Sequence, residues 1–242
     1  MFEIEFDENL HKYSFKGKTL WGTTSVIKEF VEPFDGEYWS QIKADQRNRL
    51  ALRDSFCPYL YEETKLITSA DILVEWDEIR DVASRRGKFI HAYLEDVLQK
   101  KHRTDTNPML SGVIKYLNEA YYGNVLGCEV VMHDGHFAGT LDLLVEHQGK
   151  YIIRDWKTNR QFRKKCKYNS RMLAPLGKIP ATEYYLYTLQ LNMYRYLLKP
   201  KYDVTKLEIV WFDHDGNYEV IELPIVEDYL MLMLNAHKKL HP

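Results

Sequence analysis

Cysteine is scarce in this chain: Cys57, Cys128 and Cys166 are the whole complement, far apart and odd in number. They make neither a disulfide framework nor a zinc site of close-paired spacing, so each reads as a buried or incidental thiol. Long apolar runs are missing too. No stretch approaches the roughly 18 consecutive apolar residues of a membrane span, and the opening Met-Phe-Glu-Ile-Glu-Phe-Asp lacks the basic-then-apolar pattern of a signal peptide. The expectation is a soluble, intracellular, cytoplasmic protein with no membrane partner. There is no Gly-X-X-X-X-Gly-Lys-Ser/Thr loop, so no nucleotide cofactor is expected. A basic excess is also absent, since 33 Lys and Arg face 35 Asp and Glu for a formal net charge of -2. That excludes a globally basic nucleic-acid surface and leaves only local ones.

What is present is a chain of 242 residues, 45% hydrophobic, enough to bury one substantial core. Alternating apolar and polar residues over 2–15, with a turn at Asp7-Glu8-Asn9, predict a β-hairpin, and Lys16-Gly17-Lys18 turns the chain again. Thr23 or Thr24 is expected to cap a short helix to Phe30. A second helix is expected over 37–53, with Trp39, Ile42, Leu50 and Leu52 facing inward. Ser69 should cap a helix over 71–84, and after Arg85-Arg86-Gly87 a separate helix carries Phe89, Ile90, Leu94 and Val97. A further helix over 111–122 ends near Gly123.

Residues 125–153 are rich in Val, Leu and Ile and are punctuated by His133-Asp134-Gly135 and Gln148-Gly149-Lys150, which predicts a three-stranded β-meander. An aromatic helix over 182–198, strands over 207–213 and 218–223, and a helix over 226–239 follow. The predicted fold is α/β (α+β): a central mixed sheet containing the meander, flanked by helices. The organisation is one domain over 1–242, with a hairpin and helical lobe (1–80), a core (85–198), and C-terminal strands and helix (199–242).

The chemistry concentrates on the meander. Asp142 stands on its second strand in Gly139-Thr140-Leu141-Asp142, and Asp155 and Lys157 end the third in Asp155-Trp156-Lys157-Thr158. Side chains alternate along a strand, so Asp155 and Lys157 share a face while Trp156 takes the other. Paired carboxylates are hard oxygen ligands suited to Mg²⁺ or Mn²⁺, and a lysine beside them can stabilise a developing phosphorane or orient a water. Isolated, an Asp-X-Lys would be an ordinary pair of surface charges.

Gly-X-X-Asp, thirteen residues, then an apolar run into Asp-Trp-Lys-Thr together resemble the PD-(D/E)XK nuclease superfamily in its RecB-like exonuclease branch. That resemblance implies a restriction-endonuclease-like core, catalytic roles for Asp142, Asp155 and Lys157, and metal ligation by Asp142, Asp155 and the Trp156 carbonyl. Two outlying motifs agree. Gly87-Lys88-Phe89-Ile90-His91 matches the upstream histidine motif of the branch and implies His91 as a further metal ligand, with Glu95 one turn on supporting it. Gln190-Leu191-Asn192-Met193-Tyr194 matches its Gln-X-X-X-Tyr motif and implies that Gln190 and Tyr194 contact the DNA backbone or brace the lysine. Glu129, on the preceding strand, is a further metal-ligand candidate.

The resemblance covers roughly 85–198, and the His11-X-Tyr13 hairpin before Thr-Thr-Ser-Val looks like stand-alone viral or phage members. Members with an iron-sulfur cluster need four suitably placed cysteines, so none is expected here. The basic run Arg160, Arg163, Lys164 and Lys165, interleaved with Phe162 and Tyr168, suits tracking of a DNA strand with base stacking. The implied function is a Mg²⁺- or Mn²⁺-dependent deoxyribonuclease, an exonuclease on single strands or DNA ends in replication, recombination or repair, with any helicase or recombination partner a separate protein. A structure-specific or nicking endonuclease of the same fold, and a non-catalytic DNA-binding scaffold, are the alternatives.

Overall fold

The computed structural model describes residues 4–7, 12–54, 66–105, 107–162 and 170–241, the side chains of 52–54 excepted. The chain divides into two compact units, residues 33–86 and the remainder. The hairpin and the first short helix of the expected N-terminal lobe fall in the larger unit, and the smaller unit begins at Pro33. Among the described residues there are eight strands and six α-helices. The result is an α+β fold around a mixed, largely antiparallel sheet that is not closed into a barrel.

In the larger unit β1 (Glu5–Asp7), β2 (Lys12–Phe15) and β3 (Lys18–Gly22) pair antiparallel in succession. The β2–β3 turn takes positive φ at Lys16 and Gly17 (53° and 75°), the two left-handed residues that match strand twist in a tight hairpin. The helix α1 (Thr23–Lys28) follows directly, with Gly22 and not a threonine as its N-cap. The meander is β4 (Asn124–His133), β5 (Phe137–His147) and β6 (Lys150–Lys157). After it come α5 (Glu183–Leu198), β7 (Val204–Phe212), β8 (Tyr218–Leu223) and α6 (Glu227–Leu240). Strand order is β1-β2-β3-β5-β6-β7-β8, with β4 on the other edge of β5.

Two helical layers sandwich this sheet. One face packs on α1, α5 and α6 through Val26, Phe30, Leu141, Ile153, Leu191, Met193, Tyr194, Ile209 and Leu230. The other packs on α4 (Ser111–Glu119) and the C-terminal part of α3 (Ser69–Leu98) through Ile90, Leu94, Val113, Tyr116, Leu143, Trp156 and Phe212. Between β6 and β7 the fully buried Arg154 gives its Nε proton to Glu208 at 2.6 Å, while Tyr122 and Lys206 satisfy the other Glu208 oxygen at 2.7 Å each. Burial pushes the Glu208 carboxyl up, but the donors Lys206, Arg154 and Tyr122 outweigh it and hold the group below its ordinary range.

The sequence predicts two helices broken at Arg85-Arg86-Gly87, whereas α3 runs through that triplet as one element of 30 residues. Gly87 lies inside it with Thr158 beside it, where a Cβ would meet the Thr158 Oγ1 at 3.4 Å, an ordinary van der Waals contact. Its cap is Thr68 and not Ser69. The Asp71 N–H donates to Thr68 Oγ1 at 3.2 Å while the Thr68 N–H donates to Asp71 Oδ2 at 2.8 Å, a reciprocal capping box.

In the smaller unit, α2 (Gly36–Asp54) starts at Asp35, whose Oδ1 accepts the Tyr38 N–H at 2.9 Å. Arg47 grips Glu75 with two guanidinium nitrogens, and the Asn48 amide bonds both backbone groups of Ile67 at 2.9 Å. Of the expected inward anchors of α2, Trp39 and Leu50 are exposed and Ile42 is half-buried, while Leu52 lies outside the described side chains. Small residues, Ser40 and Ala44, are the buried ones. No described helix is long and apolar enough to cross a membrane.

Candidate functional site

The site arises where one edge of β5 changes partners. Its first residues pair with β3, Trp21 with Phe137 and Gly22 with Ala138, while its last pair with β6, from Leu143–Arg154 to His147–Lys150. Between them, at Gly139 to Asp142, that edge carries no strand among the described residues. Side chains take over the ladder bonds there: Thr23 Oγ1 donates to the Ala138 carbonyl at 3.0 Å, and Asp142 Oδ2 accepts the Trp156 N–H at 2.7 Å. Tyr13 and Thr140 hydroxyls meet at 3.0 Å on the same rim.

A cavity of about 800 Å³ opens at this window. Its walls bring together His91, Glu95, Glu129, Asp142, Asp155, Lys157, Gln190 and Tyr194 from α3, all three meander strands and α5. Asp155 and Lys157 share a face, with Lys157 Nζ 2.6 Å from Asp155 Oδ2, while Trp156 is buried on the other side against Tyr116 and Phe212. His91 Nδ1 lies 3.6 Å from Asp142 Oδ1 and 3.9 Å from Glu129 Oε1, and its Nε2 lies 3.1 Å from the Trp156 carbonyl. Cys128 pairs with Leu143 and Val130 with Leu141, which sets Glu129 abreast of Asp142. Glu129 holds a φ of 47°, an uncommon conformation for a residue with a side chain.

Electrostatics in the cavity are strained. Burial raises the Asp155 pKa, the Asp142 carboxylate adds to the rise, and the Lys157 ammonium only partly offsets it, leaving the group at about 6. Asp142 is raised by burial as well, against the pull of His91 and Lys157. For His91, burial favours the neutral ring, but the Asp142 carboxylate and the Glu129 contact outweigh it and carry the imidazolium to about 9. Burial also opposes the Lys157 charge, and the charges of Asp155, Tyr187 and Asp142 outweigh it, so the ammonium is held firmly. The Tyr187 ring centroid is 4.5 Å from Lys157 Nζ.

Gln190 Nε2 donates to the Tyr194 hydroxyl at 2.8 Å, so that pair forms one unit on α5. Tyr194 is pressed against the strand: a Cβ on Gly139 would sit 2.6 Å from its Cε1 and 2.8 Å from Thr23 Oγ1, so only glycine fits. Glu95 lines the wall and accepts a bond from Gln99 Nε2 at 2.9 Å. Arg160 is exposed and is not among the lining residues, and Arg163, Lys164 and Lys165, like His11 and Tyr168, lie outside the described residues.

Sequence reasoning missed Tyr187, Tyr13, Thr23 and Thr140 as members of the site. Tyr187 carried a usable signal, because it stands three residues before Gln190 and seven before Tyr194 on one helical face. The others are brought in by the β3–β5 junction, which no local pattern announces.

No model of a known protein family matches the sequence, and no curated protein matches it. Among solved structures, the fold is similar to the crystal structure of SSO0001, at 16% sequence identity and a TM-score of 0.38, over 91% of this chain and 76% of that one.

Proposed function

We propose that this chain is a divalent-metal-dependent deoxyribonuclease that hydrolyses phosphodiester bonds, working from strand ends in replication, recombination or repair. The observation that carries the reading is the convergence of Glu129, Asp142, Asp155, His91 and Lys157 on a single cavity that Gln190 and Tyr194 also line. The donor set fits a divalent ion: ligand atoms of His91, Glu129 and Asp142 lie within 4.8 Å of one another. Oxygen donors with one imidazole suit Mn²⁺ or Mg²⁺, and Asp155 and the Trp156 carbonyl are the further donors at hand. Such an ion supplies charge neutralisation at the phosphate and an acidified water.

The chain's own residues do the rest. Lys157 is clamped by Asp155 and Tyr187 in a water-poor wall, so its charge is fixed in advance where a phosphorane's negative charge would develop. His91, with Nε2 facing the Trp156 carbonyl, turns Nδ1 toward Glu129 and Asp142. Asp142, by accepting the Trp156 N–H, holds the strand end that carries Asp155 and Lys157. Gln190 and Tyr194 present an amide and a hydroxyl to the same space, groups that bond phosphate oxygens without reading sequence.

The test is incubation of end-labelled linear and covalently closed single-stranded circular DNA with Mg²⁺, Mn²⁺ or EDTA. Linear strands should be degraded in metal, and nothing should be cut in EDTA. Circles should resist. Rapid cutting of circles would move the reading to an endonuclease of the same fold, and no cleavage of any DNA in either metal would leave a non-catalytic scaffold.

A further inference from the structure

A second set of metal-capable side chains lies outside the cavity. His237 stands near the end of α6 and His241 caps it, one turn on, with the His241 N–H bonded to the His237 carbonyl at 3.0 Å. Glu29 is the C-cap of α1. Both of its oxygens are engaged: His237 Nδ1 is 2.8 Å from Oε2 and His241 Nε2 is 3.1 Å from Oε1. The three donor atoms lie within 4.8 Å of one another. Trp21 closes one side, its ring centroid 4.7 Å from His237 and 4.3 Å from His241. His237 is fully buried, whereas the His241 side chain keeps 36% of its surface and leaves a way in from solvent.

We propose that Glu29, His237 and His241 form a structural site for a zinc-class divalent ion that ties α1 to α6. Two imidazoles and one carboxylate are a borderline donor set, which favours Zn²⁺ over Mg²⁺. A tetrahedral ion with bonds of about 2.0–2.1 Å holds neighbouring donor atoms roughly 3.3 Å apart. The two ring-to-carboxylate spacings of 2.8 and 3.1 Å need to open by a few tenths of an ångström, and the ring nitrogens, which lie within 4.8 Å of each other, need to settle at the same spacing, as the ion replaces the two ring N–H protons. The fourth position falls to water on the exposed side of His241.

The site is distinct from the cavity, since none of its three residues lines it, yet the two are joined by α1. Thr23, Thr24 and Ser25 at the start of that helix wall the cavity, and Glu29 ends it. Fixing the far end of so short a helix fixes the wall. In the sequence the signal is His237-X-X-X-His241 at helical spacing.

The test uses the full chain with Asp142→Asn and Asp155→Asn, which weaken the competing donors of the cavity. After chelator stripping it is dialysed against ZnCl₂, bound metal is measured by plasma mass spectrometry, and thermal unfolding is followed with and without zinc. One zinc per chain and a zinc-dependent rise in Tm are expected. Adding His241→Ala or Glu29→Gln should weaken zinc binding at least about tenfold, because loss of a ligand must cost no less than loss of a residue that merely orients one. The first removes a half-exposed ring at a helix end and the second keeps side-chain volume, and circular dichroism checks that each folds. No zinc in the parent variant, or zinc retained through both substitutions, would overturn the proposal. A lower Tm in His241→Ala with no zinc bound by the parent would make the cluster a hydrogen-bonded clamp and overturn it equally.

Discussion

Replacing Asp155 by Asn in the metal-free protein perturbs the cavity with no need to know its substrate. The Asp155 carboxyl is buried beside Asp142, and its pKa rises from 3.8 to about 6. A raised acid penalises the folded state once it ionises: the penalty is absent below pH 3.8, grows between there and about 6, and is complete above. At 1.36 kcal/mol per pH unit the rise corresponds to about 3 kcal/mol. Asn resembles the protonated acid in shape and charge, so Asp155→Asn should be more stable than the wild type at pH 8 in EDTA. For a chain of this size that is a Tm gain of roughly 6–12 °C. The gain should shrink as pH falls through 6 and vanish near 4. Saturating Mn²⁺ should reverse the order, since a divalent ion relieves the repulsion only where the carboxylate is present. Calorimetry or circular-dichroism melts at several pH values, with and without metal, measure all of this. A variant less stable than the wild type at pH 8 without metal would mean that Lys157 already satisfies Asp155, and the account of stored repulsion would fail.

Lys157→Ala should leave DNA binding in Ca²⁺ largely intact and lower turnover in Mg²⁺ by on the order of 10²-fold or more; an effect confined to KM would make Lys157 a phosphate anchor instead. Gly139→Ala places a methyl 2.6 Å from the Tyr194 ring, so it should destabilise the fold by about 1–3 kcal/mol in urea melts and depress cleavage by displacing Tyr194 with its Gln190 partner. An unchanged melt would contradict the close packing. Neutralising Arg163, Lys164 and Lys165 together should weaken binding to all single strands alike and flatten the salt dependence by about 2 in log–log slope, at roughly 0.7 per lost phosphate contact. An unchanged slope would remove these cations from the DNA path.

The strands and helices that the sequence foretold are those whose determinants are local. Turn residues delimit β4, β5 and β6, and Gln148-Gly149 at φ 52° and 74° is the tight turn that the sequence predicts between the last two. The face shared by Asp155 and Lys157 follows from alternation alone. What stayed hidden depends on distant partners. Gly87 reads as a helix break although α3 runs through it, and Trp39 and Leu50 read as core residues although α2 buries Ser40 and Ala44. Arg154, about which the sequence pattern says nothing, is the largest fully buried side chain among the described residues, and Glu208, fifty-four residues away, lies beside it on β7. Periodicity cannot convey such pairings.

The same contrast bears on why a site exists at Asp142 at all. An unbroken sheet keeps its two helical layers apart, so a group from α3 on one face and a group from α5 on the other could not share a ligand. Here β3 and β6 abut the same edge of β5 at different heights, and the stretch from Gly139 to Asp142 is left between them. Through that window His91, from the layer of Ile90 and Leu94, meets Asp142, while Tyr194, from the layer of Leu191 and Met193, approaches Gly139 from the opposite face. An open window would leave backbone groups without partners, at a cost of about 1–3 kcal/mol each. Thr23 and Asp142 take those bonds with their side chains. Asp142 therefore has two duties: one oxygen holds the parted strand at Trp156, and the other faces His91. Asp142→Ala would lose both the strand-end bond and the charge, whereas Asp142→Asn can keep the first. Comparing their melts separates the two contributions, with the alanine variant expected to be the less stable by about 1–3 kcal/mol. Equal stability of the two would show that the strand end holds without its carboxylate.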